Sequence, residues 1–480
     1  PRPISFLIQL LAIITTFCVL YFLHQTQVLT LRIFVLVTIC YLLLLIIFVL
    51  LSKRFALTTI LPFLLILLNL AVIFASFKYN NYFFQLGKHD NYTEKYSLVS
   101  LADSELAKTA DGDITKIGLL SSDPYRENVE QYLTETHGRT GLLSRDLNQQ
   151  DLLQFDNLLA LTSALLAQGD PDQQIKTAFL GNSFLDSLRE NNQELYSKLH
   201  ILQEVELSVT PKNIETTKDT SLDAPFIVYL SGIDNRDHTM PYAARSDVNL
   251  IMVINPIRRK ILILNTPRDF YVPLAMNGKN DKLTHAGLYG VNESLRTLEN
   301  FYQIKINYYA RINFDAFASV IDQIGGVDVT IPYVVNTYHG KRHYEPGSYH
   351  LNGDEALDFA RERVSISWAG GDRERGRNQE KILSAVIKKL QTDVISLSKF
   401  DQIFSSIARN IQTNLTSDDL KYLVQKQLTH LTNWQTEMID VDGKADITST
   451  YTYPEPKHFV WHPYPESVEK AKTKLQEYLR

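Results

Sequence analysis

Cysteine is almost absent. The chain of 480 residues has 2, Cys18 and Cys40, and both fall in apolar stretches near its beginning. The rest therefore folds without disulfides and carries no thiol chemistry. No P-loop and no serine, histidine and aspartate in a hydrolase order is present either. His238, His285, His339, His343 and His350 lack metal-ligand spacing and read as loop or cap residues, and His137 as a solvated one.

Charge is scarce in the first 80 residues. Three apolar runs, 4–22, 33–51 and 57–77, approach or meet the roughly 20 residues that cross a bilayer as a helix. A single cleaved leader has a different pattern. Residues 1–80 are thus expected to form a membrane anchor of three transmembrane helices. Lys53 and Arg54 mark the cytoplasmic loop, which places Arg2 inside and everything after Lys78 outside; Arg32 pulls the other way. An exported part without cysteines suits the surface of a Gram-positive bacterium.

Over the whole chain, 45% hydrophobic and 21% charged residues with a formal net charge of -5 are ordinary for a globular protein. Residues 92–217 alternate strand-like pieces ("DITKIGLL", "LHILQEVELSV") with helical ones ("DLLQFDNLLALTSALLAQ", "FLDSLRENNQELYSKL"), which predicts a small α/β accessory domain without a catalytic constellation. Residues 210–225 are polar, aperiodic and proline-flanked, as a linker would be, and a further domain is expected over 218–480. There "FIVYLSGID", "VNLIMVI", "KILILNT", "INYYARI" and "VDVTI" read as strands, and "THAGLYGVNESLRTLENFY" and "FDAFASVIDQI" as amphipathic helices. Buried strands with helices between them predict an α/β sandwich. The aromatic "YTYPEPKHFVWHPYPE" fits a docked strand or a surface loop equally well, and "SVEKAKTKLQEYLR" a final amphipathic helix.

In such sheets ligands collect beyond the strand ends. Asp234 closes the first strand, Arg245 and Asp247 precede the second, and Arg268 and Asp269 follow the third. "FARERVSISWAGGDRERGRNQEKIL" adds a cluster of arginines. Helical phase from an N-cap at Asp372 puts Arg375 and Gln379 on the buried stripe, and Arg373 and Arg377 towards water; Arg361 and Arg363 precede it. Guanidinium groups stay charged and repel one another unless an anion joins them, and their planar forks match phosphate oxygens. Asp234 and Asp247 beside that anion imply a bridging cation, for which magnesium held by one or two carboxylates and completed by phosphate and water is the natural choice. A structural network of arginines and aspartates pinning the sheet ends would use the same residues, and for Asp269 and Arg361 the two readings weigh equally.

The landmarks "SGID", "RSDVNLIMVINP", "NTPRDFYV", "DKLTHAGLYG", "FDAFASVIDQIGGVDVTIP", "GSYHLNGDEALDFARER" and "GDRERGRNQ", spread in order over residues 226–390, closely resemble the LytR-CpsA-Psr family, especially its streptococcal capsule-locus members of the CpsA type. The resemblance implies an αβα sandwich with a mixed central sheet. It implies an enzyme that moves a glycopolymer, capsular polysaccharide here, from an undecaprenyl pyrophosphate carrier to peptidoglycan, with Mg2+ or Mn2+ assisting. On the matching positions, Asp234 and Asp247 take the metal side, Arg245, Arg268, Arg361, Arg363, Arg375 and Gln379 the head group, and Asp234, Asp247, Arg268 and Arg363 the catalytic roles. Asn378 stands where many relatives place a second arginine, so that one phosphate contact is missing or Arg373 or Arg377 supplies it. The extra domain of capsule-type relatives has been likened to a polymerase processivity-factor domain, yet residues 92–217 are not basic and no nucleic-acid partner is expected; the domain reads as a spacer or a dock for other capsule-assembly membrane proteins. Two other activities fit the same ligand, a regulator that senses the lipid and a lipid pyrophosphatase.

Overall fold

The computed structural model describes residues 2–27, 29, 31–52, 60–86, 92–109, 114, 116–135, 147–167, 174–209, 221–233, 240–338, 340–362, 371–392, 410–430 and 434–480. The chain divides into two compact units, one of Pro1–Lys88, Lys389–Arg409 and Leu415–Trp434, the other of the remainder.

The first unit has three N-terminal helices, α1 (Arg2–Thr26), α2 (Leu31–Ser52) and α3 (Ile60–Leu86). Two described stretches, Phe6–Thr26 and Ile60–Asn81, are long and apolar enough to cross a membrane. The apolar stretch counted in α2, Leu31–Ile47, is shorter among the described residues. The expectation of three spans is corrected to two among the described residues, and the topology that rested on an odd number no longer follows from counting. The loop with Lys53 and Arg54 lies outside the described residues. Asn69 ties α3 to α1, its amide donating to Thr15 Oγ1 and Thr16 Oγ1 at 3.0 Å each. Such polar contacts hold helices together where no hydrophobic gradient can. A helix over Ser417–His430 meets α3, with Ser417 Oγ donating to the Phe83 carbonyl at 2.6 Å.

The second unit contains two sheets. Five strands, β1 (Tyr92–Leu101), β2 (Ile117–Leu120), β3 (Leu152–Phe155), β4 (Thr177–Gly181) and β5 (Leu199–Val209), pair in the order β3-β2-β4-β1-β5. Helices α4 (Arg126–Thr134), α5 (Leu158–Leu165) and α6 (Asn182–Asn191) connect them. Six strands build the other sheet: β6 (Phe226–Ile233), β7 (Val248–Asn255), β8 (Lys260–Asn265), β9 (Tyr308–Asn313), β10 (Ile411–Thr413) and β11 (Gln435–Asp440), in the order β10-β9-β6-β7-β8-β11. β9 runs parallel to β6 and β11 to β8, while the remaining pairs are antiparallel, so the sheet is mixed.

Alternation sets its packing. Ile227, Tyr229, Ile251, Val253, Leu262 and Leu264 point to one face. Two helices cover that face, α7 (Val291–Tyr302) through Val291, Leu295, Leu298 and Tyr302, and α11 (Pro465–Leu479) through Val468, Ala471, Leu475 and Tyr478. Three more helices, α8 (Phe314–Gln323), α9 (Gly353–Arg361) and α10 (Gly371–Thr392), precede α11 in the chain. The segment around Tyr451 is docked: the Tyr451 N–H donates to the Asn280 carbonyl (3.1 Å), and Thr452 donates through N–H (2.8 Å) and Oγ1 (2.5 Å) to Asp281 Oδ2.

Candidate functional site

Antiparallel pairing of β6 with β7 and of β7 with β8 brings the end of β6, the start of β7 and the end of β8 to one edge of the sheet. Residues distant in sequence meet there for that reason. The Asp247 N–H donates to the Gly232 carbonyl (2.8 Å). Its carboxylate accepts from Arg268 Nη1 at 2.5 Å and from Thr284 Oγ1 at 3.3 Å, and its carbonyl from Arg375 Nη2 at 3.4 Å. Asp247 and Arg375 are buried. Arg375 comes from the first turns of α10, which approaches closely because Gly376 leaves room for the Asn265 side chain at the end of β8.

Beside this pair, Asp269 Oδ1 lies 3.1 Å from Lys282 Nζ and Oδ2 lies 3.7 Å from Arg268 Nε. Arg361, at the end of α9, sets its guanidinium over the Phe314 ring, 5.0 Å from the centroid. Gln379 is half-buried, and its amide donates to the Ala360 carbonyl at 3.5 Å. Asp234 and Arg363, together with His137, His238 and His339, lie outside the described residues.

Asn378 is a packing residue. It is buried, accepts from the Tyr333 hydroxyl (3.0 Å) and donates to the Phe359 carbonyl (3.3 Å), which locks α10 against α9. Arg377 meets Glu374 at 2.6 Å and Asp440 at 3.3 Å. Glu380 is buried next to Asp440, and burial, with that second carboxylate, pushes its carboxyl well above the ordinary range.

Arg245 has a salt bridge to Glu190 of α6, Nη1 to Oε2 at 2.7 Å. Burial opposes its charge, but Asp247 and Glu190 outweigh that and hold the guanidinium above its ordinary range. The stretch leading to it, 241–246, has no strand partner. Arg311, fully buried on β9, donates instead to the carbonyls of Pro241 (2.9 Å), Tyr242 and Ala244 (2.8 Å). From the five-stranded part, the Glu94 carboxylate accepts from the Tyr242 N–H, and Ser183 Oγ donates to the Ala243 carbonyl.

Burial pushes the Glu94 carboxyl up from 4.5 to about 7, against the Tyr242 N–H and the Arg311 charge. The folded chain thus keeps this proton up to about pH 7, whereas the unfolded chain releases it near 4.5. Between those values the folded state binds more protons, so stability falls as pH rises. Asp123, pushed up to about 6 by burial, adds a slope of the same sign. Glu94→Gln keeps an acceptor for the N–H and removes the Glu94 contribution. Its melting temperature should exceed that of the wild type at pH 8, by up to ~3 kcal/mol of stability, and converge with it below pH 5. Curves that run parallel across that range would show that Glu94 titrates normally.

His285, expected in a loop or cap, is buried in a short helix, Leu283–Ala286. Burial holds its imidazole below the ordinary range, and Asp281 is held below its own. An ionised Asp281 only accepts, so His285 Nδ1 carries the proton of the 2.6 Å bond between them. A β-carbon at Gly287 would press on the Ala244 carbonyl and lie 2.9 Å from the Ser246 nitrogen. Gly287→Ala should therefore cost ~1–3 kcal/mol in denaturant unfolding, with Arg245 and Asp247 displaced together.

Signals for several of these residues were present in the sequence. Lys282 and Thr284 stand inside "DKLTHAGLYG", and Arg311 is a lone charge in the buried strand "INYYARI". Glu190 and Glu94 gave none, since their partners are more than fifty residues away.

A magnesium ion completed by phosphate and water needs only one or two protein carboxylates. Of the two carboxylates expected to hold such an ion, Asp247 is buried at this edge of the sheet and Asp234 lies outside the described residues. Among the described residues no group of three or more histidine, cysteine, aspartate or glutamate side chains is placed to hold a metal alone.

A mixed α/β sheet with arginines and a buried carboxylate gathered at one edge defines the class. Residues 191–461 match the model of the LytR_cpsA_psr family, and the chain belongs to that family. It is 33% identical over 238 residues to the polyisoprenyl-teichoic acid–peptidoglycan teichoic acid transferase TagU of Bacillus cereus, which covers 49% of this chain and 76% of that protein. Among solved structures, B. subtilis TagV is 28% identical over 54% of this chain and 98% of its own, with a TM-score of 0.45. A structure described as TagT bound to LI-WTA is 27% identical over 56% and 97%, also with a TM-score of 0.45.

Proposed function

We propose that the protein is a membrane-anchored phosphotransferase that moves capsular polysaccharide, or a related glycopolymer, from an undecaprenyl pyrophosphate carrier to cell-wall peptidoglycan. The observation that carries this reading is the 2.5 Å pair of Arg268 and buried Asp247 with Arg375 beside it. The transferase names of relatives that share the family support it.

In this reading Arg268, Arg375 and Arg245, joined by Arg361, Arg363 and Gln379, hold the pyrophosphate. Asp247 orients Arg268 and, with Asp234, would hold Mg2+ or Mn2+, which when bound offsets negative charge on the phosphates. An acceptor hydroxyl of peptidoglycan attacks the sugar-side phosphorus. The new oxygen–phosphorus bond forms as the bond to the bridging oxygen breaks, undecaprenyl phosphate leaves, and the hydroxyl proton passes to solvent. The protein contributes position and charge stabilisation. Phe6–Thr26 and Ile60–Asn81, long and apolar enough to cross a membrane, would anchor the chain, and this reading places the soluble part on the extracellular side of a Gram-positive cell.

A strain carrying Asp247→Ala should lose wall-attached polymer and release polymer into its medium. Wall attachment at the wild-type level would favour a lipid-sensing regulator instead.

A further inference from the structure

We infer that the five-stranded part completes the active site, with Glu190 as the positioning residue for Arg245. This deepens the reading above and rests on it. Helix α6 turns one face to the segment that carries Arg245: Ser183, Ser187 and Glu190 follow one another at helical spacing, and Phe184 sets its ring edge-on against Tyr289 at 5.7 Å. Ser183 Oγ takes the Ala243 carbonyl, and Ser187 is fully buried. Glu190, one turn further, reaches Arg245 two residues along the same segment. Glu94 holds the Tyr242 N–H from β1 of the same sheet. The segment immediately before Asp247 is thus fixed by three side chains from residues that a spacer would not need.

The chemistry favours positioning. An arginine side chain has about 2 kcal/mol of rotamer entropy to lose, and here Arg268 repels it. Glu190 meets it at Nη1, countering that repulsion and fixing the guanidinium plane before an anion arrives. Glu190 acts through Arg245, whose Nη1 its carboxylate meets at 2.7 Å.

Steady-state hydrolysis of a short-chain prenyl pyrophosphate by the full chain in detergent, with calorimetric binding of inorganic pyrophosphate alongside, tests this in wild type, Glu190→Gln, Glu190→Asp, Arg245→Ala and the Glu190→Gln/Arg245→Ala double variant. Glu190→Gln should raise KM, and weaken pyrophosphate binding, roughly tenfold with kcat within about twofold. Glu190→Asp should recover part of the loss, and Glu190→Gln should have no further effect in the Arg245→Ala background. An unchanged KM, or equal losses with and without Arg245, would overturn the proposal while leaving the phosphotransfer reading intact. A wild type that binds pyrophosphate without turnover would overturn phosphotransfer and leave the coupling measurable by calorimetry. A wild type that does neither overturns both.

Discussion

Arg311→Met is expected to cost on the order of 3–5 kcal/mol of stability and to abolish turnover in whatever fraction remains folded. Arg311 is the largest fully buried side chain among the described residues, and its guanidinium serves three carbonyls of one segment, those of Pro241, Tyr242 and Ala244, with Gln412 Oε1 at 3.4 Å completing the set. Methionine fills much of the volume but donates nothing, so each carbonyl is left in the interior without this donor. Burial already holds the Arg311 guanidinium below its ordinary range, which offsets part of the loss when the charge is removed. The segment it releases carries Arg245 and leads into Asp247, so the catalytic loss should exceed what stability alone explains. Denaturant unfolding gives the first effect. Hydrogen exchange gives the second, with faster exchange at residues 242–247 than at β7. A variant whose stability and exchange match the wild type would remove Arg311 from this role.

Arg268→Ala should lower release of prenyl phosphate from a short-chain prenyl pyrophosphate by a factor of ~10³, and should lower the melting temperature as well, because buried Asp247 loses its 2.5 Å partner. In the proposed reading its fork binds the pyrophosphate, and Asp247 fixes its direction at 2.5 Å. Asp247→Asn keeps the shape and removes the charge that orients the fork, so it should approach the same loss; because the two act as a unit, the double variant should be no worse than either by the product of their effects. Arg377→Ala is the internal control. Its guanidinium is engaged with Glu374 and Asp440, so its removal should leave turnover within about twofold. Full activity in Arg268→Ala would mean that the pair only pins the sheet.

The strand ends were legible because buried strands are apolar throughout and an acid or arginine at their end stands out, as Asp247 and Arg268 do. Helical phase placed Arg375 inwards correctly, yet the buried positions of α10 also include Asn378 and Glu380, polar residues whose partners, Tyr333 and Asp440, lie on other elements. At Asn378, where many relatives place an arginine, Tyr333 donates to the amide oxygen and Arg377 turns to Glu374, while the Arg373 side chain lies outside the described residues. The docking of Tyr451–Tyr453 on Asp281, and of Glu190 on Arg245, depends on contacts across 171 and 55 residues of sequence, which no local pattern encodes.

The most direct measurement is a reconstituted reaction of the full chain with lipid-linked glycopolymer and purified peptidoglycan, followed by digestion of the wall and mass analysis of its fragments. The account predicts a covalent polymer–peptidoglycan phosphodiester with wild type, and none with Arg268→Ala. Lipid cleavage that yields only free polymer, with no covalent product, would contradict it and identify a pyrophosphatase.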